Sequence, residues 1–179
     1  MRSRKVGIST FYRLMAEHGS ASAAMDALPD LANKAGLSKY QPCSQASADA
    51  EIAQGAKIGA QLICRGEAHY PSLLGEISDA PPMIWVRGAL DVLKRPMIAL
   101  VGARNASSLG TRMARALASD LSDQGYVVVS GLARGIDTCA HLAAAEGGSI
   151  AVLAGGVDVI YPNENLDLAD KLMVTGALV

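Results

Sequence analysis

The stretch from Met97 to Gly110 reads MIALVGARNASSLG, and it decides the fold class of this chain. Its first five residues form a continuous apolar run, which is typical of a strand buried on both faces of a parallel sheet. Gly102 follows that run directly, at the point where the backbone must turn sharply. A helix is predicted over residues 109–124, because apolar residues recur every four positions from Met113 to Leu121. The stretch therefore predicts a strand, a glycine loop and a helix in succession.

The same order of elements recurs in the rest of the chain. Strands are predicted at residues 126–129 and 150–153, and helices at residues 135–146 and 165–173. Such alternation implies right-handed crossovers and a parallel sheet with helices on both faces, which is an α/β fold. The chain ends at Val179, at the predicted start of a fourth strand. Because a parallel sheet of three or four strands is small for this architecture, we expect the chain to be incomplete at its C-terminus.

The first third of the chain has a different pattern, typical of a small all-α domain. Apolar residues at helical spacing, interrupted at Gly19 and Ser20 and closed by Pro29, predict two helices, and a third is predicted over residues 46–58. Residues 61–96 form a bridging region with short strand candidates at 61–64 and 83–87. We therefore predict a helical domain over residues 1–60 and an α/β domain over residues 61–179.

Composition and charge exclude several classes of protein. Only 18% of the 179 residues are charged and half are apolar, which excludes a disordered tail or a coiled coil. Residues 97–179 hold 5 Lys and Arg against 8 Asp and Glu, so any anion site there must be local, built from a few arginines and backbone amides. The three cysteines are widely spaced and predict neither a disulfide framework nor a metal site. No apolar run approaches a membrane span and no secretory signal is present, so a cytoplasmic protein is expected.

Three loops follow the predicted strands, and each carries glycine close to the end of its strand. They are GARNASSLG at residues 102–110, SGLARGID at 130–137 and AGGVD at 154–158. In α/β folds ligands bind at the carboxyl ends of the strands, where these loops must converge. Helix N-termini donate N–H groups to phosphate, and arginine binds phosphate through two parallel hydrogen bonds. Because Arg104 and Arg134 occupy equivalent places in successive loops, we predict that they flank one anion.

Other interpretations of these residues remain open. The glycines and serines of any single loop could serve only to turn the chain and to cap a helix. None of the loops matches the dinucleotide fingerprint or the P-loop, which disfavours bound NAD or hydrolysed ATP. Asp137 and His141 stand four residues apart at the start of a predicted helix, and can pair there either as a local brace or as a catalytic acid–histidine pair. The acidic run from Asp158 to Asp170 is interpreted as a solvated helix face.

The three loop motifs, taken in order, resemble those of the DNA-processing protein A family (DprA, also called Smf). The similar stretches are residues 101–110, residues 130–137 with Ala-His at 140–141, and IAVLAGGVDVIYPNEN at residues 150–165. The bridging region is similar as well, with Tyr70-Pro71 and then Pro81-Pro82. The resemblance runs over residues 65–179, whereas the first 60 residues match only loosely the SAM-like or helix-hairpin-helix-like domain that often precedes it.

The resemblance implies a fold and a function. The fold would be an extended Rossmann-like domain, and the protein would bind and protect single-stranded DNA during natural transformation and help load the recombinase RecA. It would act as a homodimer in its full-length form, without a cofactor, a metal, a membrane or a catalysed reaction. The residues carried over as DNA- and phosphate-binding are Gly102, Arg104, Ser107, Gly110, Ser130, Gly131, Arg134, Gly135, Gly155 and Gly156. Asp137, His141 and Asn163 would shape the pocket.

Two features limit what is carried over. Family members continue past the point where this chain ends, and their further residues supply basic and base-stacking contacts. Tyr161 is the one aromatic residue near the three loops, so this chain alone is expected to bind DNA weakly or not at all. The alternative is a phosphoribohydrolase-like enzyme on the same type of domain, but Gly155-Gly156 is followed by Val157 and Asp158 rather than by that family's Thr and Glu. A protein-interaction scaffold would leave the loop arginines unexplained.

Overall fold

The computed structural model describes residues 1–179, and the chain divides into two compact units. The first unit consists of Met1–Gln54 and Leu73–Pro82, and the second of Gly55–Ser72 and Met83–Val179. Residues 73–82 thus return to the first unit after the chain has entered the second. The division into domains at residue 60 stays a prediction.

The first unit is built from helices. They are α1 (Ile8–His18), α2 (Ala21–Lys34), most of α3 (Gln45–Lys57) and most of α4 (Ser72–Glu76). Leu14, Ala24 and Leu28 form its buried core. Pro29 was predicted to close the second helix, but α2 continues through it to Lys34. Proline removes one helical hydrogen bond, and burial of Leu28 and Ala32 on either side of it offsets that loss.

The second unit contains a six-stranded sheet in the order β1-β2-β6-β5-β4-β3. Its strands are β1 (Ala60–Cys64), β2 (Met83–Gly88), β3 (Met97–Ala99), β4 (Val127–Ser130), β5 (Ser149–Ala151) and β6 (Ala177–Leu178). The strands β3 to β6 are parallel, whereas β1 and β2 run antiparallel and extend the sheet beyond β6. The predicted α/β fold class, a Rossmann-like sheet with flanking helices after a helical unit, is confirmed.

Three helices connect the parallel strands. They are α5 (Ser108–Asp123), α6 (Ile136–Ala144) and α7 (Leu166–Thr175), and short 3-10 turns cover Leu90–Lys94 and Asn163–Asn165. Because β3, β4, β5 and β6 follow one another in a single direction across the sheet, right-handed crossovers place all three helices on the same face. The sequence predicted helices on both faces, which would require the strand order to reverse. No helix combines the length and the apolar character needed to cross a membrane.

The strand β3 lies at one edge of the sheet, although its apolar run predicted a strand buried on both faces. It pairs only with β4, and Val101, just after it, is 73% exposed. No residue of β3 is fully buried, because the connecting helices cover one face of the sheet and tertiary packing, unlike an apolar run, decides which faces are covered.

Arg95 connects two helix ends at the end of the sheet opposite the glycine loops. Its Nη1 donates to the Gly147 carbonyl oxygen at 2.6 Å, and its Nη2 donates to the Gly125 carbonyl oxygen at 3.1 Å. These carbonyls follow the C-terminal ends of α6 and α5, where backbone acceptors lack helical partners. One half-buried guanidinium therefore stabilises two helix ends just before β3 begins.

We expect Arg95→Ala to lower the free energy of unfolding by about 2 kcal/mol, because two charge-assisted hydrogen bonds are lost together. Arg95→Lys should restore less than half of this, since an ammonium group cannot span both carbonyls in one plane. Urea unfolding measures the effect, with Arg112→Ala, an exposed α5 residue, as the control within about 0.5 kcal/mol of the parent. Equal effects of the Arg95→Ala and Arg112→Ala substitutions would contradict the bracing role.

Candidate functional site

The carboxyl ends of β4 and β5 and the loop after β3 enclose a cavity of about 360 Å³. Arg104 comes from the loop after β3, Gly131 and Arg134 from the loop after β4, and Gly155 from the loop after β5. The three loops therefore converge as their positions in the sequence predicted. The remaining lining residues are Ala133, Val152, Leu153, Ala154, Val159, Tyr161 and Pro162.

The two arginine loops touch through their backbones at Gly135. The Ile136 N–H donates to the Ala103 carbonyl oxygen at 3.2 Å. A β-carbon added at Gly135 would collide with the carbonyl oxygens of Ala103 and Arg104, and φ at this residue is +80°. Only glycine accommodates both the close approach and this backbone conformation. Gly135 thus sets the spacing between the Arg104 loop and the Arg134 loop.

Arg134 has an acidic partner that the sequence interpretation missed. Its Nε donates to Glu164 Oε1 at 2.8 Å and its Nη2 to Oε2 at 2.9 Å. This fork raises the pKa of Arg134 and lowers the pKa of Glu164, in each case first through the hydrogen bonds between them. Glu164 was interpreted as part of a solvated helix face, but it lies in the 3-10 turn before α7 and is fixed to Arg134. The pair uses one edge of the guanidinium and leaves Nη1 free for an anion.

Arg104 differs from Arg134 because it is exposed and makes no ion pair. Its guanidinium is thus available to a ligand in the cavity without displacing a carboxylate. The two arginines face the same cavity rather than opposite sides of the sheet. The cavity therefore contains two cations, of which Arg134 is held in place by Glu164 and Arg104 is unpaired.

Asp137 and His141 do not pair with each other, contrary to the interpretation of an acid–histidine pair. Asp137 Oδ2 accepts the Gly131 N–H at 3.1 Å and the Ala133 N–H at 3.4 Å. The buried carboxylate therefore braces the loop after β4. Spacing along a helix permits the pair, but the loop amides are closer partners once the loop folds back over the helix N-terminus.

His141 is fully buried and bonds to the neighbouring strand. Its Nδ1 lies 2.8 Å from Ser149 Oγ, and that hydroxyl donates to the Val128 carbonyl oxygen at 2.7 Å. Nδ1 is therefore assigned as the protonated nitrogen. Burial lowers the pKa of His141 to about 4, although the Asp137 charge and the Ser130 backbone favour the charged form. Nε2 makes no hydrogen bond of normal geometry. The ring is thus neutral and faces the core.

Leu132 and Asn165 support the loop after β4 and were not singled out from the sequence. Leu132 has φ +56° and is fully buried, a conformation that is a clear outlier for a bulky residue. The buried Asn165 donates from Nδ2 to the Leu132 carbonyl oxygen and to Thr138 Oγ1, both at 2.9 Å. The sequence interpretation assigned the pocket-shaping role to Asn163, two residues before Asn165. Asn163 is exposed in the structure, whereas Asn165 is buried.

The structure brings only some of the predicted binding residues to the cavity. Arg104, Gly131, Arg134 and Gly155 line it. Ser107 caps α5 by accepting the Gly110 N–H at 3.1 Å, and Ser130 donates to the Leu100 carbonyl oxygen at 2.6 Å. The residues outside the lining are Gly102, Ser107, Gly110, Ser130, Gly135, Gly156, Asp137, His141 and Asn163.

Gly102 and Gly110 both lie next to Ile136. A β-carbon at Gly102 would come within 2.6 Å of Ile136 Cγ1, and one at Gly110 within 3.4 Å of Ile136 Cδ1. Close packing of Ile136 against the loop after β3 therefore requires glycine at position 102, whereas a β-carbon at position 110 would be in ordinary contact with Ile136. Gly102 therefore shapes the site through packing, and a role of either glycine in binding DNA stays a prediction.

The cavity combines two cations with apolar walls. Val152, Leu153 and Val159 contribute aliphatic surface, and Tyr161 is 69% exposed at the rim. Arginines can hold a phosphate, while aliphatic and aromatic surfaces suit the face of an unstacked base. The fold and the site together define an α/β protein with a cavity lined by two arginines at the carboxyl ends of parallel strands.

Comparison with known proteins gives the family. Residues 61–179 match the family described as DNA recombination-mediator protein A, and residues 1–54 match a DprA-like N-terminal HHH domain. The chain therefore belongs to the DNA recombination-mediator protein A family, as the resemblance of its loop motifs to DprA and Smf predicted.

Curated relatives carry the same names. The chain is 46% identical over 105 residues to DNA processing protein DprA of Streptococcus pneumoniae, covering 58% of this chain and 37% of that protein. It is 39% identical over 117 residues to DprA of Bacillus subtilis, covering 64% of this chain and 39% of the relative. The chain thus spans about two fifths of the length of these relatives.

Solved structures share the fold. The crystal structure of DprA from S. pneumoniae is similar with a TM-score of 0.63 and 29% identity, over 97% of this chain and 67% of that one. The DprA structure from Helicobacter pylori, described for its single-stranded DNA binding mode, has a TM-score of 0.58 and 23% identity. It covers 66% of this chain and 54% of that one, and at this identity shows similarity of fold alone.

Proposed function

We propose that this chain carries the single-stranded DNA-binding cavity of a DNA-processing protein. The observation that supports this most directly is that Arg104 and Arg134 line one cavity with apolar walls. A phosphate would lie between the guanidinium groups, with Nη1 of Arg134 available beside the Glu164 pair. An adjacent base would lie against Val159 and Tyr161. Bases of a duplex are stacked and paired, so only a single strand offers a free base face to such a surface.

The proposed activity is binding rather than catalysis. His141, the residue best suited to proton transfer near the loops, faces the core and bonds to Ser149, and the Asp137 carboxylate is occupied by two backbone amides. Neither supplies a general base to the cavity. A phosphoribohydrolase activity remains the alternative, and it would release free base from a nucleoside monophosphate.

The wider role extends the same proposal to the whole protein. We infer that the bound strand is protected and passed to the recombinase RecA during natural transformation, by a homodimer of the full-length protein. The family description as a recombination mediator supports this role. Recombinase filament assembly on an oligonucleotide, followed with and without the full-length protein, tests the transfer step. An unchanged assembly rate would contradict it.

The test of the cavity is the salt dependence of oligothymidylate binding by the full-length protein. We expect Arg104→Ala and Arg134→Ala each to weaken binding and to flatten the plot of log affinity against log salt by about 0.7, because each removes one phosphate contact. Lysine at either position should restore only part of the affinity, since an ammonium group lacks the planar pair of donors of a guanidinium. Both side chains are exposed, so thermal stability should change little.

A pair of α5 substitutions, Arg112→Ala and Arg115→Ala, removes the same charge from residues that do not line the cavity. These controls should keep the preference for single-stranded over duplex DNA, which the cavity variants should lose. An unchanged salt slope in the cavity variants, accompanied by a large drop in melting temperature, would make both arginines structural. Release of free adenine from AMP by the parent chain, lost in the same variants, would favour the enzyme.

A further inference from the structure

The first unit contains a group of cations outside the cavity just described. Arg4, Lys5, Lys34 and Lys39 are exposed, and none of them makes an ion pair. The ion pairs of this unit join Arg2 to Glu51 and Arg13 to Glu17. Four positive charges are therefore left uncompensated by direct carboxylate contacts.

Two turns hold part of this group in fixed positions. The turn around residues 3–5 is anchored by the buried Ser3, whose Oγ accepts the Cys43 N–H at 2.9 Å. The turn after α2 is closed by the Leu37 N–H, which donates to the Ala32 carbonyl oxygen at 2.9 Å. Tyr40 joins the two turns, because its hydroxyl donates to the Arg4 carbonyl oxygen at 2.6 Å. The Tyr40 side chain and the hydrogen bonds within the two turns thus bring Arg4 and Lys39 to one cleft.

The cleft between the turns has a volume of about 250 Å³. It is lined by Arg4, Gly36, Leu37, Ser38, Lys39, Tyr40 and Gln41. Hydroxyl, amide and cationic groups predominate, and Leu37 is the one aliphatic side chain among them. Such a lining suits a strongly hydrated polyanion, whereas an acidic peptide helix or a membrane surface would need an apolar anchor.

Two of the lysines occupy an unusual backbone conformation. Lys5 has φ +63° and Lys39 has φ +57°, where glycine or asparagine is the expected residue. Local stability therefore does not favour lysine at either position. Residues held in such conformations are concentrated at functional sites, and here both carry an unpaired charge toward solvent.

We propose that this cationic turn pair, formed by Arg4, Lys5 and Lys39 around the cleft, is a second nucleic-acid contact that binds the phosphate backbone. Lysines act as point charges on phosphates, and contacts to the phosphate backbone carry no sequence information. Binding there is thus independent of sequence and accepts duplex as well as single-stranded DNA. The proposal does not depend on the cavity of Arg104 and Arg134.

The first test is a lysine footprint on the whole chain. Acetylation of each lysine is followed by mass spectrometry with and without a 20-base-pair duplex. Lys5 and Lys39 should be protected several-fold, whereas Lys57 and Lys171 should react as in the free protein. The same protection should persist in the Arg104→Ala, Arg134→Ala double variant, so a failure of the cavity proposal leaves this result intact. Unchanged reactivity of Lys5 and Lys39 at saturating duplex would overturn the second contact.

The second test removes the charges without straining the turns. Arg4→Gln, Lys5→Asn and Lys39→Asn are combined, because asparagine tolerates the left-handed conformation. Duplex affinity should fall about tenfold, and the salt slope should fall by nearly 3. The matched control combines Lys57→Asn, Arg112→Gln and Lys171→Gln, which also removes three charges, none from a residue lining either cleft. Equal losses of duplex affinity in the two triple variants would show that the effect depends only on net charge and would overturn the proposal.

Discussion

Gly135→Ala is expected to lower the free energy of unfolding by about 3 kcal/mol, at the upper end of the cost of a strained backbone. The residue has φ +80°, and an added β-carbon would collide with the carbonyl oxygens of Ala103 and Arg104. Relief requires the Arg104 loop and the Arg134 loop to move apart. Binding of oligothymidylate should therefore be lost even under conditions in which the variant is fully folded.

The control for this prediction separates backbone strain from collision. Gly66 also has a positive φ, +96°, but a β-carbon there would meet no atom within 4 Å. Gly66→Ala should thus cost about 1 kcal/mol, the price of the left-handed conformation alone, and should leave binding unchanged. Urea unfolding and oligonucleotide binding are measured on both variants. Equal stability losses would show that the contact between the two loops does not depend on Gly135.

The second large effect is a loss of stability in mild acid that is caused by His141. Its pKa is lowered from the ordinary 6.5 to about 4 in the folded chain, first of all by burial. The unfolded chain therefore binds more protons than the folded chain between these pH values, and stability must fall as the pH falls. Over the whole window the loss amounts to about 3 kcal/mol.

A variant of His141 isolates this contribution. His141→Gln should be less stable than the parent at pH 7, because the contact with Ser149 is altered, but its stability should change much less between pH 6.5 and pH 4. The measurement is the urea midpoint at half-unit steps of pH for both chains. The lowered pKa of Glu164 affects stability only below the ordinary carboxylate pKa of 4.5, outside most of this window. Parallel pH curves for parent and variant would contradict the assignment.

The sequence by itself determined the order of the elements and the place of the site. The helix starting beyond Ser107 and the strands before Gly102 and Ser130 follow from apolar periodicity and from glycine at the turns, which are properties of neighbouring residues. Parallel strands joined by helices bring their carboxyl ends to one edge, so convergence of the Arg104 and Arg134 loops could be predicted without coordinates.

Tertiary structure alone decided which side chains meet. Glu164 reaches Arg134 across 30 residues of sequence, and His141 bonds to Ser149 instead of Asp137. It also decided that β3 lies at an edge and that three helices share one face, because strand order is a choice among pairings that the same apolar runs permit. Periodicity specifies which surface an element buries, whereas the partner of a polar group depends on which atoms packing brings within about 3 Å.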